Sequence, residues 1–334
     1  MTELLLPSLL LIICIVVIGY GANLLTRGAA AIALKLNVST LVIGLTVVAM
    51  GTSMPELTVS LSAAIQGSGD ISIGNILGSN ILNIFLILGI TALLRPLRVA
   101  KSTAWYELPF LLFVSLLLWF FCSDKELGFA DSSTLSWWEG TIFFVLFILF
   151  LIYTVWLGKR REERVVEKIK EDPIEPEVLP IPLWKSSLLV LIGLGLLVVG
   201  GKYFTAQAVQ IAKLLGVSEA FIGLTIVALG TSIPELATSI AAALKGDADM
   251  AVGNIVGSCI FNILLILGVV SMINPLPVSG ITRLDFIMVV ASPLLLLFCA
   301  FFFGKRKIMR YEGAILLLCY VAYTVLLLNN TGVF

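Results

Sequence analysis

Apolar residues run along this chain in long, nearly unbroken blocks. They do not alternate as in a half-buried strand, and they do not form the one-sided stripe of a soluble helix. Each block approaches the ~20 residues that a helix needs to cross the hydrocarbon core of a bilayer. The blocks predict ten helices, over 4–31, 38–66, 71–94, 103–122, 137–157, 183–213, 217–245, 250–272, 282–304 and 309–329, joined by short links. The first block follows Thr2 and Glu3, not the basic residues that open a secretory signal, so it reads as the first spanning helix. One substantial hydrophilic stretch, 158–182, carries Lys159, Arg160, Arg161, Glu162, Glu163, Arg164 and several prolines. It is too short for a regulatory domain and reads as a solvated linker. The fold class expected is an all-α polytopic membrane protein.

The polar positions that interrupt the blocks recur. Residues 43–57, IGLTVVAMGTSMPEL, match residues 222–236, IGLTIVALGTSIPEL. Residues 74–83, GNILGSNILN, match residues 253–262, GNIVGSCIFN. One offset of 179 residues, the separation of Glu56 from Glu235 and of Asn83 from Asn262, aligns both motifs without a gap. About 29 of roughly 50 aligned positions are identical, which chance does not produce and gene duplication does. The domain reading is a first five-helix repeat at 1–157, the linker at 158–182 and a second repeat at 183–334. Five crossings leave a half on the side opposite its start. The second half then enters upside down, giving a 5+5 inverted repeat of the kind many secondary transporters use.

Charge sets the orientation. With the 158–182 linker on the cytoplasmic side, Arg27, Lys35, Arg95, Arg98, Lys101, Lys245, Lys305, Arg306, Lys307 and Arg310 fall inside with it. Lys125, Lys213 and Arg283 fall outside. This excess of inside Lys and Arg is the normal topological bias, and it puts both termini outside. Composition agrees with membrane insertion: 59% of residues are hydrophobic and 13% charged, against about 25% charged in soluble domains, and mean hydropathy is +1.09. Histidine is absent, which removes imidazole metal ligands, imidazole general bases and the near-neutral histidine switch. The cysteines Cys14, Cys122, Cys259, Cys299 and Cys319 are scattered without a CxxC pair and read as buried thiols. Net charge is zero, and nothing points to nucleic acid.

The candidate chemistry lies at Glu56 and Glu235. An ionisable side chain in mid-span costs roughly 2.5–3.5 kcal/mol on insertion scales, and the neighbouring spans offer neither glutamate a Lys or Arg partner. A mobile cation is the natural counter-charge. Pro55 and Pro234 precede the glutamates; proline lacks an N–H and clashes with the carbonyl four residues back, so helices 2 and 7 should be broken at mid-membrane. Irregular backbone is tolerated there only when buried in protein or lining a cavity. Ser53 or Thr52 can cap the second half-helix, and carbonyls near Ala49 and Met50 should face the gap with the negative end of the first half-helix. On the following helices Asn75, Ser79 and Asn83 share one face, as do Asn254, Ser258 and Asn262. Gly74 with Gly78, and Gly253 with Gly257, permit close helix approach. The pooled donors are all oxygen, which suits Ca²⁺; softer metals would want His or Cys. Two carboxylates balance one Ca²⁺, and Na⁺ or protons competing for them would give exchange.

These residues resemble the two alpha-repeats of the sodium/calcium exchanger family, within the cation/calcium exchanger superfamily. The similarity extends over essentially the whole chain and is most specific over 43–93 and 222–272. It implies ten helices, alternating access and coupled Ca²⁺ transport. It also implies ion ligands at the Ala49 carbonyl, Thr52, Ser53, Glu56, Ser79 and Asn83, with counterparts at the Ala228 carbonyl, Thr231, Ser232, Glu235, Ser258 and Asn262. Asn262 departs from relatives that carry Asp there, which lowers the site charge and argues against K⁺ co-transport. The short linker departs from animal relatives with large Ca²⁺-sensing domains and suggests a microbial plasma-membrane form. The expectation is a monomeric Na⁺/Ca²⁺ antiporter that needs no cofactor, with H⁺/Ca²⁺ antiport through the same glutamates as the alternative. An intramembrane enzyme is disfavoured, because repeat-equivalent glutamates lack the unlike environments that separate an acid from a base.

Overall fold

A computed structural model describes residues 2–128, 132–171, 181–214, 228–278, 281–303 and 306–330. Its long elements are helices: α1 (Thr2–Lys35), α2 (Thr40–Thr52), α3 (Met54–Ile65), α4 (Ile71–Leu94), α5 (Thr103–Phe121), α6 (Trp137–Glu171), α7 (Leu183–Leu214), α8 (Ala228–Thr231), α9 (Ile233–Leu244), α10 (Ala248–Ile273), α11 (Arg283–Phe301) and α12 (Arg310–Asn330). Among the described residues, 8 helices are long and apolar enough to cross a membrane, or 9 if α2 and α3, bent by 45° at Ser53, count as one span. The first part of the expected 217–245 helix, including motif residues 222–227, lies outside the described residues. So do linker residues 172–180 and Lys305. The expected 137–157 helix continues to Glu171. Residues 159–171 are Lys, Arg, Glu, Val and Ile, mostly good helix formers, and no proline occurs before Pro173.

The molecule inverts the usual inside-out order of a soluble protein. Exposed side chains such as Leu5, Val16, Leu191 and Leu318 are large and apolar, as a lipid-facing surface requires. The polar residues collect in the centre. There α4 and α10 are 78% and 83% buried over their most apolar windows, against 22–44% for the other long spans. Small residues bring helices together. A Cβ on Gly257 would stand 2.8 Å from the Ala49 Cβ and 2.9 Å from the Leu45 Cα, so α10 lies directly on α2. Gly193 and Gly21 do the same for α7 on α1.

Contacts recur at the repeat offset. Gly67 (φ +78°) and Gly246 (φ +89°) each end a short helix in the left-handed region. Their N–H groups bond Ala64 O at 3.0 Å and Ala243 O at 2.9 Å, a glycine C-cap used twice. The last helix of each half packs on the other half: Gly140 of α6 against Gly268 of α10, and Gly313 of α12 against Gly89 of α4. Two short antiparallel pairs follow the same exchange, β1 (Leu97–Arg98) with β4 (Lys307–Ile308) and β2 (Thr134–Leu135) with β3 (Leu276–Pro277). The halves interlock around the α4–α10 crossing.

Candidate functional site

Ser53 follows α2 and Ser232 follows α8, so that Pro55 and Pro234 fall in the first turn of α3 and α9, where the missing N–H costs nothing. Glu56 and Glu235 follow them and are each 1% exposed. Their hydrogen bonds cross between the halves. The Ser53 hydroxyl donates to Glu235 Oε1 at 3.0 Å, and the Ser232 hydroxyl donates to Glu56 Oε1 at 3.0 Å. Ser258 approaches Glu235 Oε1 at 3.5 Å, and Ser232 approaches Ser79 at the same distance. Thr231 stands beside the Glu56 carboxylate and Thr52 beside that of Glu235. Ten expected residues thus converge: Glu56, Glu235, Ser53, Ser232, Thr52, Thr231, Ser79 and Ser258 directly, with Asn83 and Asn262 one turn further along α4 and α10.

The caps differ from expectation. Ser53 occupies the N-cap position of α3 and Ser232 that of α9, but neither side chain makes a capping bond. The hydroxyls are used across the repeat interface instead. Thr52 does not cap either; it donates to Asn254 Oδ1 at 3.2 Å and to Ala49 O at 3.3 Å. The Ala49 carbonyl also accepts the Ser53 N–H at 3.0 Å, so it is already shared between two donors. Ala228 opens α8, with its neighbours before it outside the described residues.

A second layer holds the helices that carry the glutamates. Asn75 Nδ2 donates to Glu56 O at 3.3 Å and to Ser60 Oγ at 3.0 Å; Asn254 Nδ2 donates to Glu235 O at 3.4 Å and to Ser239 Oγ at 3.0 Å. These asparagines orient the glutamate backbone. Ser60, Ser239 and Asn80 were not among the expected residues. The serines could have been found, because they are identical at the repeat offset and polar within apolar spans. Asn80 could not be found that way, because its counterpart is Cys259.

The remaining valences define the chemistry. Glu56 Oε2, Glu235 Oε2, Asn83 Oδ1 and Asn262 Oδ1 are buried and have no hydrogen-bond donor among the described residues. Buried polar atoms are nearly always paired, and an unpaired ionised carboxylate is among the costliest groups to bury. Four such oxygens, two from each half at matching positions, are the groups here that could hold a cation. Both Asn83 and Asn262 begin π-helical segments, Asn83–Ile87 and Asn262–Leu267, and such segments are frequent at functional sites.

The family model described as sodium/calcium exchanger protein matches residues 6–156 and 185–329. The chain belongs to the sodium/calcium exchanger family. This family comprises membrane antiporters, not enzymes, and the chain is a multi-pass integral membrane protein. Sodium/calcium exchanger MaX1 of Methanosarcina acetivorans is 33% identical over 347 residues, covering 96% of this chain and 97% of that protein. Inner membrane protein YrbG of Escherichia coli is 36% identical over 276 residues, covering 81% of each. A solved structure of the sodium-calcium exchanger NCX_Mj superposes with a TM-score of 0.79 at 33% identity, covering 96% of this exchanger-family chain and 98% of that one.

Proposed function

We propose that this chain is a Na⁺/Ca²⁺ antiporter of the plasma membrane that carries both ions through one site by alternating access. The observation that carries the reading is the set of four donorless buried oxygens on Glu56, Glu235, Asn83 and Asn262. Hydroxyls of Ser53, Ser232, Ser79, Ser258, Thr52 and Thr231 lie around them, and the Ala49 and Ala228 carbonyls close the ligand set. Two carboxylates neutralise one Ca²⁺, and the hydroxyl-rich flanks supply the partial charges that suit Na⁺. A proton needs no such cage. The proposed arrangement is ten spans as two inverted halves, 1–157 and 183–334, with the second break between α8 and α9. The 158–182 linker is cytoplasmic, both termini are outside, and a single chain is the working unit.

An asymmetry between the ends of the molecule supports alternating access. Lys245 Nζ donates to Asn23 O at 3.0 Å and to Thr26 Oγ1 at 2.7 Å, tying the end of α9 to α1. The repeat counterparts are Gln66, Lys202 and Thr205. Thr26 and Thr205 each bond the carbonyl four residues back in their own helix, Ala22 O and Gly201 O, so the difference lies at the lysine, where Gln66 is exposed. At the ends of α9 and α3 the halves are alike to within one residue: Arg95 donates to Leu244 O at 2.8 Å, and its counterpart Asn274 donates to Ala64 O at 2.7 Å. Among the described residues the lysine tie between the short helix and the long one is found at one end alone, a difference that a pseudo-symmetric carrier closed on a single side would show.

The test is ⁴⁵Ca²⁺ uptake into proteoliposomes under an imposed Na⁺ gradient with pH clamped. Uptake is expected, and Glu56→Gln or Glu235→Gln should each abolish it. Uptake driven only by a pH gradient would replace Na⁺ with H⁺ as the coupling ion. Uptake that survives both substitutions would overturn the site.

A further inference from the structure

The central helices meet at Asn80 on α4 and Cys259 on α10, residues that occupy the same position in the two halves. Asn80 Nδ2 donates to the Cys259 main-chain carbonyl at 3.1 Å. That carbonyl can only accept, so it fixes which end of the Asn80 amide faces it. Asn80 Oδ1 is thereby turned toward Asn262 and accepts its Nδ2 at 3.0 Å. With its Nδ2 held by Asn80, Asn262 turns its Oδ1 the other way, the buried oxygen without a donor among the described residues. An amide is nearly symmetric in shape. Without this relay Asn262 could present its NH₂ group, which repels a cation.

The other half repeats the relay with a weaker atom. The Cys259 thiol faces the Asn80 main-chain carbonyl at 3.9 Å, and the Asn83 amide lies against the sulfur. A thiol is a poor donor and sulfur a poor acceptor. The two asparagines are identical, yet the groups that orient them are not.

We propose that Asn80 is a positioning residue that holds the Asn262 oxygen toward the transported cation, and that Cys259 does the same for Asn83 only weakly, so that the two halves of the site are unequal. The inference rests on the ion-site reading above and adds which half is preorganised. It concerns selectivity, since a fixed oxygen cage discriminates between cations more sharply than a loose one.

The experiment measures KM for Ca²⁺ and for the coupling cation in proteoliposomes, with protein amount and melting temperature recorded for every variant. Asn80→Ala should raise KM by roughly fivefold to tenfold, the worth of one buried hydrogen bond, with kcat changed less. Cys259→Ala should move KM by less than about threefold, and Cys259→Asn, which installs the strong relay in both halves, should lower it. Asn80→Cys copies an arrangement the other half already tolerates, so it keeps the test alive if Asn80→Ala fails to fold; KM should rise there too. An unchanged KM in Asn80→Ala with kcat and stability falling together would reduce Asn80 to a packing residue. Equal KM effects from Asn80→Ala and Cys259→Ala would overturn the inequality. If transport answers only to a pH gradient, the Na⁺ assignment fails while the order of the Ca²⁺ KM values still decides the relay.

Discussion

Replacing Ser53 by alanine removes a single oxygen from the site, and the geometry gives its expected cost. Ser53 is 3% exposed, and its hydroxyl donates across the repeat interface to Glu235 Oε1 at 3.0 Å. A hydrogen bond to a charged group contributes about 1.5–3 kcal/mol, which corresponds to roughly tenfold to hundredfold in an equilibrium constant. The same hydroxyl is a proposed ion ligand, so its loss should appear as weaker ion binding. Ser232 donates to Glu56 Oε1 at the same 3.0 Å. Ser53→Ala and Ser232→Ala should therefore raise KM by similar factors, within about threefold of each other given the usual scatter of such bonds. The double variant should fall well short of the product of the two effects if both serines serve one ion cluster, because groups that share partners are not additive. The assay is Na⁺-driven ⁴⁵Ca²⁺ uptake at varied Ca²⁺ and varied Na⁺, corrected for reconstituted protein. A Ser53→Ala carrier with both KM values within twofold of the parent would refute the assignment. A severe Ser53→Ala beside a silent Ser232→Ala would refute a site shared equally by the two halves.

Gly257→Ala should lower the melting temperature of the detergent-solubilised protein, because the added Cβ meets Ala49 at 2.8 Å and Leu45 backbone at 2.9 Å, and overpacking of this kind costs about 1–3 kcal/mol. Gly19→Ala is the matched control: beyond the adjoining backbone of its own helix nothing lies within 4 Å of the added Cβ, so the melting temperature should hold or rise. Lys245→Gln copies the Gln66 end and should loosen the tie to Asn23 and Thr26; a cysteine placed in α1 beside Thr26 should then react faster with a water-soluble thiol reagent, and an unchanged rate would remove Lys245 from the closure. Tyr323→Phe removes the 2.6 Å hydrogen bond to Asp285 that ties α12 to α11; stability should fall by about 1.5–3 kcal/mol with KM unchanged.

Much of the site was legible before any coordinates, because burial makes polar residues expensive and duplication writes the same expensive residues twice. Glu56 and Glu235 stand out on the first ground, and Ser53, Ser79, Asn83 and their counterparts on the second. Spacing along one helix face also gave the α4 and α10 stripes correctly, since 3.6 residues per turn is a local property. What it could not give was the pairing between halves. A serine immediately before a helix reads locally as a cap, yet the Ser53 and Ser232 side chains leave their own helices uncapped to reach the opposite glutamate, a choice fixed only by how the halves interlock. The stripe also concealed a division of labour. Asn75 and Asn254 share a face with Asn83 and Asn262, but they hold the glutamate backbone, while the latter pair keep an oxygen free. The hardest element to read was the one place where the halves differ. Identity at the offset draws attention to what is duplicated, whereas Asn80 and Cys259 differ, and a thiol in an apolar span looks like ordinary core until the amide that it replaces is seen to hold the Asn262 side chain on the other side.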